Sequence, residues 1–201
     1  MFLSAPLSSR NQFGKLLNQK GLVGEAVEIG THRGDFAKIL LDSWAGSVLH
    51  CVDPWSNYEQ IQQNALPERG PSRADDLSQT LSVLRKHHPN RFRIVRNQSS
   101  QAANLFPDAS LDFIYIDGDH SYPAVKTDLL LWWPKAKPGG IFAGHDFICP
   151  GEINGGWGQF IQKALREFLD QLAPTYHESH VQLIVEEGGL PWSWYIEKPT
   201  S

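Results

Sequence analysis

Short apolar runs, among them EAVEI at Glu25 to Ile29, SVLHCV at Ser47 to Val52 and LDFIYI at Leu111 to Ile116, alternate along this chain with stretches whose apolar residues recur every three or four positions. Strands that alternate with helices run parallel, because each return crossing is a helix lying on a sheet face. The nearly unbroken run LDFIYI fits a central strand covered on both faces. The expected fold class is α/β: a seven-stranded, mostly parallel sheet whose last strand is antiparallel, with helices on both faces.

The periodicity predicts a helix over Ser9 to Gln19, with Phe13, Leu16 and Leu17 on one face, and another over Asp35 to Trp44, with Phe36, Ile39, Leu40 and Trp44. Further helices follow around Leu77, Leu81 and Leu84, and after Ser121 and Pro123, where Val125, Leu129 and Trp132 or Trp133 repeat. The clearest stripe is Phe160, Ile161, Ala164, Leu165, Phe168, Leu169 and Leu172. Phe92 to Val95 and Ile141 to Ala143 read as strands, the latter after a KPGG turn. Val181 to Glu186 and Trp192 to Lys198 read as a closing hairpin around Gly188-Gly189. No linker or repeat divides the 201 residues, so one domain is expected over 1–201, with residues 1–20 carrying an N-terminal helix. The polar segment 56–73 and the glycine-rich segment 148–158 are candidate lid loops.

Composition narrows the partners. Apolar residues make up 41% and charged residues 20%, enough burial for a globular core. Net charge is -4, and the 18 Lys and Arg are scattered, which argues against a nucleic-acid partner and for a small molecule. Cys51 and Cys149 lie far apart outside any metal spacing and read as reduced thiols. No apolar run approaches the ~20 residues that span a bilayer, so a cytoplasmic protein without membrane contact is expected. Trp192 and Trp194 mark a candidate edge contact for a homo-oligomer, though their strand pattern also fits packing.

In an open parallel sheet, ligands bind beyond the C-terminal strand ends, where strand order reverses. Those ends here carry Glu28 to Gly34, Asp53 to Trp55, Asn97 to Ser100, Asp117 to Tyr122 and Gly144 to Phe147. The turn Gly30 to Gly34, with Thr31 inside it, lets a ligand approach the backbone at a helix N-terminus. It is not GxGxxG, since position 32 is His. Asp53, at the next strand end, can accept both hydroxyls of a ribose, which points to a nucleoside-containing cofactor. Asp117, Asp119 and His120 leave a buried strand together, and His145-Asp146 ends a neighbouring one. The set suits a general base or a divalent cation. A purely structural alternative has Asp119 and His120 capping the next helix and bonding each other.

VEIGTHRGDFA, VDPW, DFIYIDGDHSYPAVKTDL and KPGGIFAGHDF together resemble the successive motifs of class I S-adenosylmethionine-dependent methyltransferases, in particular the bacterial group similar to macrolide-sugar and catechol O-methyltransferases. The resemblance covers about Gly21 to Phe147. It implies that Glu28 and Gly30 contact the methionine end of the cofactor, that Gly34 begins the helix, that Asp53 holds the ribose, that Pro54 or Trp55 lies against adenine and that Ser99 approaches its edge. Asp117 also borders the cofactor. In the metal-dependent members, acids at the positions of Asp117 and of the His145-Asp146 pair hold Mg²⁺. The His-Asp pair here departs from that pattern, leaving a cation on Asp117 and Asp146 with waters, a softer ion, or none. The implied reaction is methylation of a sugar or natural-product hydroxyl, with Asp117 as positioning base and His120 or His145 as proton acceptor. Two other classes remain open on the residues alone: an NAD(P)-dependent oxidoreductase, against which the glycine spacing speaks, and a metal-dependent hydroxylase or hydrolase on the same fold.

Overall fold

The computed structural model describes residues 3–4, 7–56, 73–147, 158–172, 175–186 and 192–200. Strands β1 (Leu3–Ser4), β2 (Glu25–Ile29), β3 (Val48–Val52), β4 (Phe92–Val95), β5 (Leu111–Ile116), β6 (Ala136–Phe147), β7 (Val181–Ile184) and β8 (Trp192–Glu197) form one sheet in the order β1-β7-β8-β6-β5-β2-β3-β4. β8 pairs antiparallel with β6 and with β7, and every other pairing is parallel. The expected seven strands are all present, and the short edge strand β1 is an addition that two residues of sequence could not signal.

Helices α1 (Phe13–Gln19), α2 (Asp35–Ser43) and α3 (Arg73–His87) cover one face, while α4 (Ser99–Ala102), α5 (Tyr122–Trp132) and α6 (Gly158–Leu172) cover the other. Alternation along the strands feeds two cores. Ile114 and Ile116 of β5 join Val27, Ile29, Leu129, Leu165 and Phe168; Phe113 and Tyr115 join Phe13, Phe36 and Leu40. All six residues of β5 are buried, as a run without polar alternation requires.

Several sequence expectations change. β6 begins at Ala136, because the KPGG segment lies within it: pairing with β5 shifts between Leu111 and Phe113, and the surplus residues bulge, with Gly139 at φ +77°. The N-terminal helix starts as a 3₁₀ turn, Arg10–Gln12, before α1. Phe160 is 43% exposed and outside the α6 stripe, whose buried apolar side chains start at Ile161. Trp194 is no edge residue: it is buried in the core against Gly144, while Trp192 is half-buried. The candidate lids 56–73 and 148–158 fall almost wholly outside the described residues, as do Cys149, Trp157 and the Gly188-Gly189 turn. Among the described residues no helix is long and apolar enough to cross a membrane.

Candidate active site at the strand ends

Strand order reverses between β2 and β5, so the crevice expected from topology opens between Gly30 and Asp117. The backbones meet there. Asp117 N donates to Ile29 O at 2.8 Å, Gly30 N donates to Val52 O at 2.8 Å, and a Cβ on Gly30 would lie 2.1 Å from Asp117 O. Gly30 and Gly34 both have positive φ, +88° and +80°, and Gly34 is the N-cap of α2. The turn between them is tied down on every side. His32 N donates to Asp53 Oδ2 at 3.0 Å, Thr80 and Trp55 donate to His32 O at 2.8 Å, and Arg33 pairs with Asp76 at 2.8 Å. This bracing gives a rigid cradle with its helix N-terminus aimed into the crevice.

Glu28 is buried at the floor of this cradle, beside Thr31, and its Oε2 has no hydrogen-bond partner among the described residues. Burial, reinforced by the nearby Asp117 charge, raises its pKa well above the ordinary carboxylate value. A buried acceptor without a donor is costly unless a ligand supplies one. Asp53 is buried, its carboxylate oriented by His32 N and by Trp55 N at 2.7 Å. Pro54 and Trp55 part company: the Trp55 ring is 1% exposed and belongs to the α2-side core, which leaves Pro54 as the half-exposed one of the two. Ser99 stands at the end of β4, but its hydroxyl donates to Asp128 Oδ1 at 2.6 Å and accepts from Trp132 Nε1 at 2.8 Å. Its proton is therefore directed inward, toward a buried acid that the sequence did not single out.

Burial pushes the pKa of Asp128 up to about 7 from an ordinary 3.8. The folded state therefore binds a proton that the unfolded state has lost across that range, so stability falls as pH rises from about 4 to about 7. At roughly 1.4 kcal/mol per pH unit the loss accumulates to at most about 4 kcal/mol. Asp128→Asn, which keeps an acceptor for Ser99, is expected to flatten that dependence and to be more stable than wild type at pH 8 by about 2 kcal/mol or more. Urea midpoints at pH 5 and pH 8 measure this; equal pH slopes in the two proteins would refute it.

The second cluster gathers at the ends of β5 and β6. Asp146 Oδ2 lies 2.5 Å from His120 Nε2 and 3.5 Å from His145 Nδ1, and Asp117 Oδ1 lies 3.6 Å from both rings. Consecutive strand residues normally face opposite ways, yet His145 and Asp146 both reach Asp117. A bulge explains this: the β6·β8 register shifts between Gly144 and Phe147, and Asp146 takes φ +57°. Burial alone would lower the His120 pKa, but Asp117 and Asp146 outweigh it and push it up to about 9; His145 is raised by the same neighbours. Reciprocally, burial works against the charges of Asp117 and Asp146, yet the imidazoles hold both below the usual carboxylate range.

The capping alternative for Asp119 and His120 divides between them. Asp119 Oδ1 accepts from Ser121 N at 2.8 Å, a turn that leads into α5, whose N-cap is Ser121, whereas His120 faces Asp117 and Asp146. Sequence reading missed Arg10. It reaches from the N-terminal turn to place Nη1 3.2 Å from Asp117 Oδ2 and 3.4 Å from Tyr115 Oη, whose hydroxyl also meets Ser193 Oγ at 3.2 Å. No local pattern marks a partner 107 residues away.

A family model described as a methyltransferase domain matches residues 27–147, from the middle of β2 to the end of β6. The chain belongs to that family. This methyltransferase is 24% identical over 124 residues, 60% of its length, to the Sinorhizobium fredii protein y4gI, and it spans 13% of that relative's length. In fold it is similar to the O-methyltransferase TomG from Streptomyces achromogenes, solved in complex with S-adenosylmethionine, at TM-score 0.63 and 13% identity, covering 94% of this chain and 78% of that one. It is likewise similar to an O-methyltransferase from Bacillus cereus solved with S-adenosylhomocysteine, at TM-score 0.58 and 20% identity, covering 96% and 82%. The family match makes the chain a methyltransferase domain, a transferase by family, and the cofactor held in the TomG complex is S-adenosylmethionine. This chain's braced glycine turn, buried Asp53 and unpartnered Glu28 oxygen fit that cofactor.

Proposed function

We propose that this methyltransferase moves the methyl group of S-adenosylmethionine to a hydroxyl oxygen of a small molecule of the sugar or natural-product type. The observation that carries the reading is the juxtaposition at the strand-order switch: the cofactor cradle of β2 and the acid-imidazole cluster of β5 and β6 share Asp117. Beside the cluster, the buried side chains of Ile116, Val125, Ile161 and Trp194 back His120 and His145, so the two imidazoles stand against the apolar core.

In this reading Glu28, Gly30, Thr31 and Gly34 receive the methionine end, Asp53 the ribose hydroxyls, and Pro54 the adenine face, with Ser99 at its edge. Methyl transfer is an in-line displacement: the acceptor oxygen forms a bond to the methyl carbon as the carbon-sulfur bond breaks, and the sulfonium becomes a neutral thioether. The acceptor proton must leave. Asp117 orients the hydroxyl, and His120, more exposed than His145, takes the proton when neutral. With the His120 pKa pushed up to about 9, that neutral form becomes the majority only in alkaline solution.

A second reading rests on Asp117, His120 and Asp146, which each offer one ligand atom within 4.8 Å of the others. This donor set fits a divalent cation, and an imidazole among carboxylates favours Mn²⁺, Co²⁺ or Zn²⁺ over Mg²⁺. Such an ion would lower the pKa of the acceptor hydroxyl. The metal-free reading is preferred because the protein's own cations, His120 and Arg10, already face Asp146 and Asp117. Turnover that survives EDTA supports it; turnover lost to EDTA and restored by Mn²⁺ selects the metal reading.

Calorimetry with S-adenosylhomocysteine tests the cofactor assignment. Wild type is expected to bind in the micromolar range, and Asp53→Ala to weaken binding by about 100-fold, the loss of two charge-assisted hydrogen bonds. Wild type that binds none at all would sink the reading, and an unchanged constant in a folded Asp53→Ala would remove Asp53 from it.

A further inference from the structure

Arg10, held to Asp117, and the buried carboxyl of Glu28 border one corner of the crevice, where Glu28 pairs in register with Tyr115, which Arg10 also touches. Arg10 lies outside the matched family region, in the 3₁₀ turn before α1, yet its place is built rather than incidental. Its backbone N–H is pinned to Glu186 Oε1 at 2.7 Å beyond the end of β7, and its guanidinium lies 5.4 Å from the ring centroid of Phe36, in the first turn of α2. Both hydrogen bonds of the guanidinium, to Asp117 and Tyr115, use Nη1. Nε and Nη2 have no hydrogen bond among the described residues, so one edge of the planar fork stays open to a second anion. Across the same corner Glu28 is 2% exposed, with Oε2 unpartnered among the described residues, and the charge of Arg10 acts on it.

A cation with an open edge and a buried carboxylate lacking a donor are complementary to one chemical group, a zwitterionic α-amino acid. We infer that Arg10 is a positioning residue that grips the α-carboxylate of the cofactor's methionine end while Glu28 accepts from its ammonium. The assignment rests on the S-adenosylmethionine reading and deepens it. It also gives the N-terminal turn a role in recognition. The same guanidinium that orders Asp117 senses whether a complete amino-acid end is in place, so cofactor fragments without a carboxylate are discriminated against.

The test is calorimetric titration of wild type, Arg10→Gln and Arg10→Lys with S-adenosylhomocysteine and with its decarboxylated analogue, which keeps adenine, ribose, thioether and amine. Wild type is expected to prefer the intact ligand by about 10-fold or more, the worth of a charged hydrogen bond. Arg10→Gln should lose that preference by weakening the intact ligand alone, and Arg10→Lys should keep part of it. A preference unchanged in Arg10→Gln, or equal weakening of both ligands, overturns the assignment while leaving the methyltransferase reading standing. Wild type that binds neither ligand overturns both. Thermal melts of the three proteins show that the comparison is made between folded states.

Discussion

Gly30→Ala is expected to abolish S-adenosylhomocysteine binding and to cost about 4 kcal/mol or more of folding stability, the scale reserved for substitutions with no room to relax. The new methyl carbon would stand 2.1 Å from Asp117 O, 2.6 Å from Asp117 C and 2.7 Å from Gly118 Cα, all backbone atoms held by the β2·β5 ladder. No rotamer change relieves that overlap. β2 and β5 would have to separate at the point where strand order reverses, which opens both the cofactor cradle and the Asp117 cluster. Positive φ adds its own penalty of about 1–2 kcal/mol for a residue with a Cβ. Gly21→Ala supplies the control, because Gly21 shares the positive φ, +70°, but has nothing within 4 Å of an added Cβ. Urea denaturation should therefore show a modest loss for Gly21→Ala and a far larger one for Gly30→Ala; equal losses would show that conformation alone, and not the close approach, sets the requirement.

Asp117→Asn is expected to lower turnover by about 10²–10⁴-fold, the range associated with a positioned acid-base group, while S-adenosylhomocysteine affinity changes far less. A pH profile separates chemistry from mere structure. In wild type, His120 is raised to about 9 by two carboxylates, so turnover should climb about tenfold per pH unit below that value and level off above it. Removing the Asp117 charge removes one of the two anions that stabilise imidazolium, so the inflection should move to lower pH. A residue that only holds the strand end in place would lower the rate without moving the inflection. Full turnover in Asp117→Asn with the true acceptor would end the assignment outright.

Much of the scaffold was legible in the sequence alone. The apolar run Leu111 to Ile116, the glycine turn after Ile29, and the acids Asp53 and Asp117 that follow two of the strands together point to a parallel sheet with polar strand ends, because charged residues at the close of a buried strand belong at a crevice. Hydrophobic spacing is a local property, and so the strands at Glu25–Ile29 and Leu111–Ile116 emerged with their boundaries intact. Errors of detail arose where a long-range partner overruled local pattern. The KPGG segment reads as a turn but is carried inside β6 as a bulge, because Ala136 before it and Ile141 after it both pair with β5. Trp194 reads as a candidate edge residue but fills the space that Gly144 leaves.

The site divides along the same line. The sequence by itself determined which residue types would stand at each strand end, Glu28, Asp53, Asp117, His120, His145 and Asp146, since chain connectivity and strand period leave no other place for them. Only the tertiary structure decided how they are used. It sent His120 to Asp146, turned His145 and Asp146 to the same side through a bulge, withdrew Trp55 into the core, tied Ser99 to Asp128, and brought Arg10 across 107 positions to Asp117. Each of those outcomes depends on distances between segments remote in the chain, and the energies that settle them, Coulombic attraction and the cost of an unpaired buried group, depend on those distances and not on spacing along the sequence.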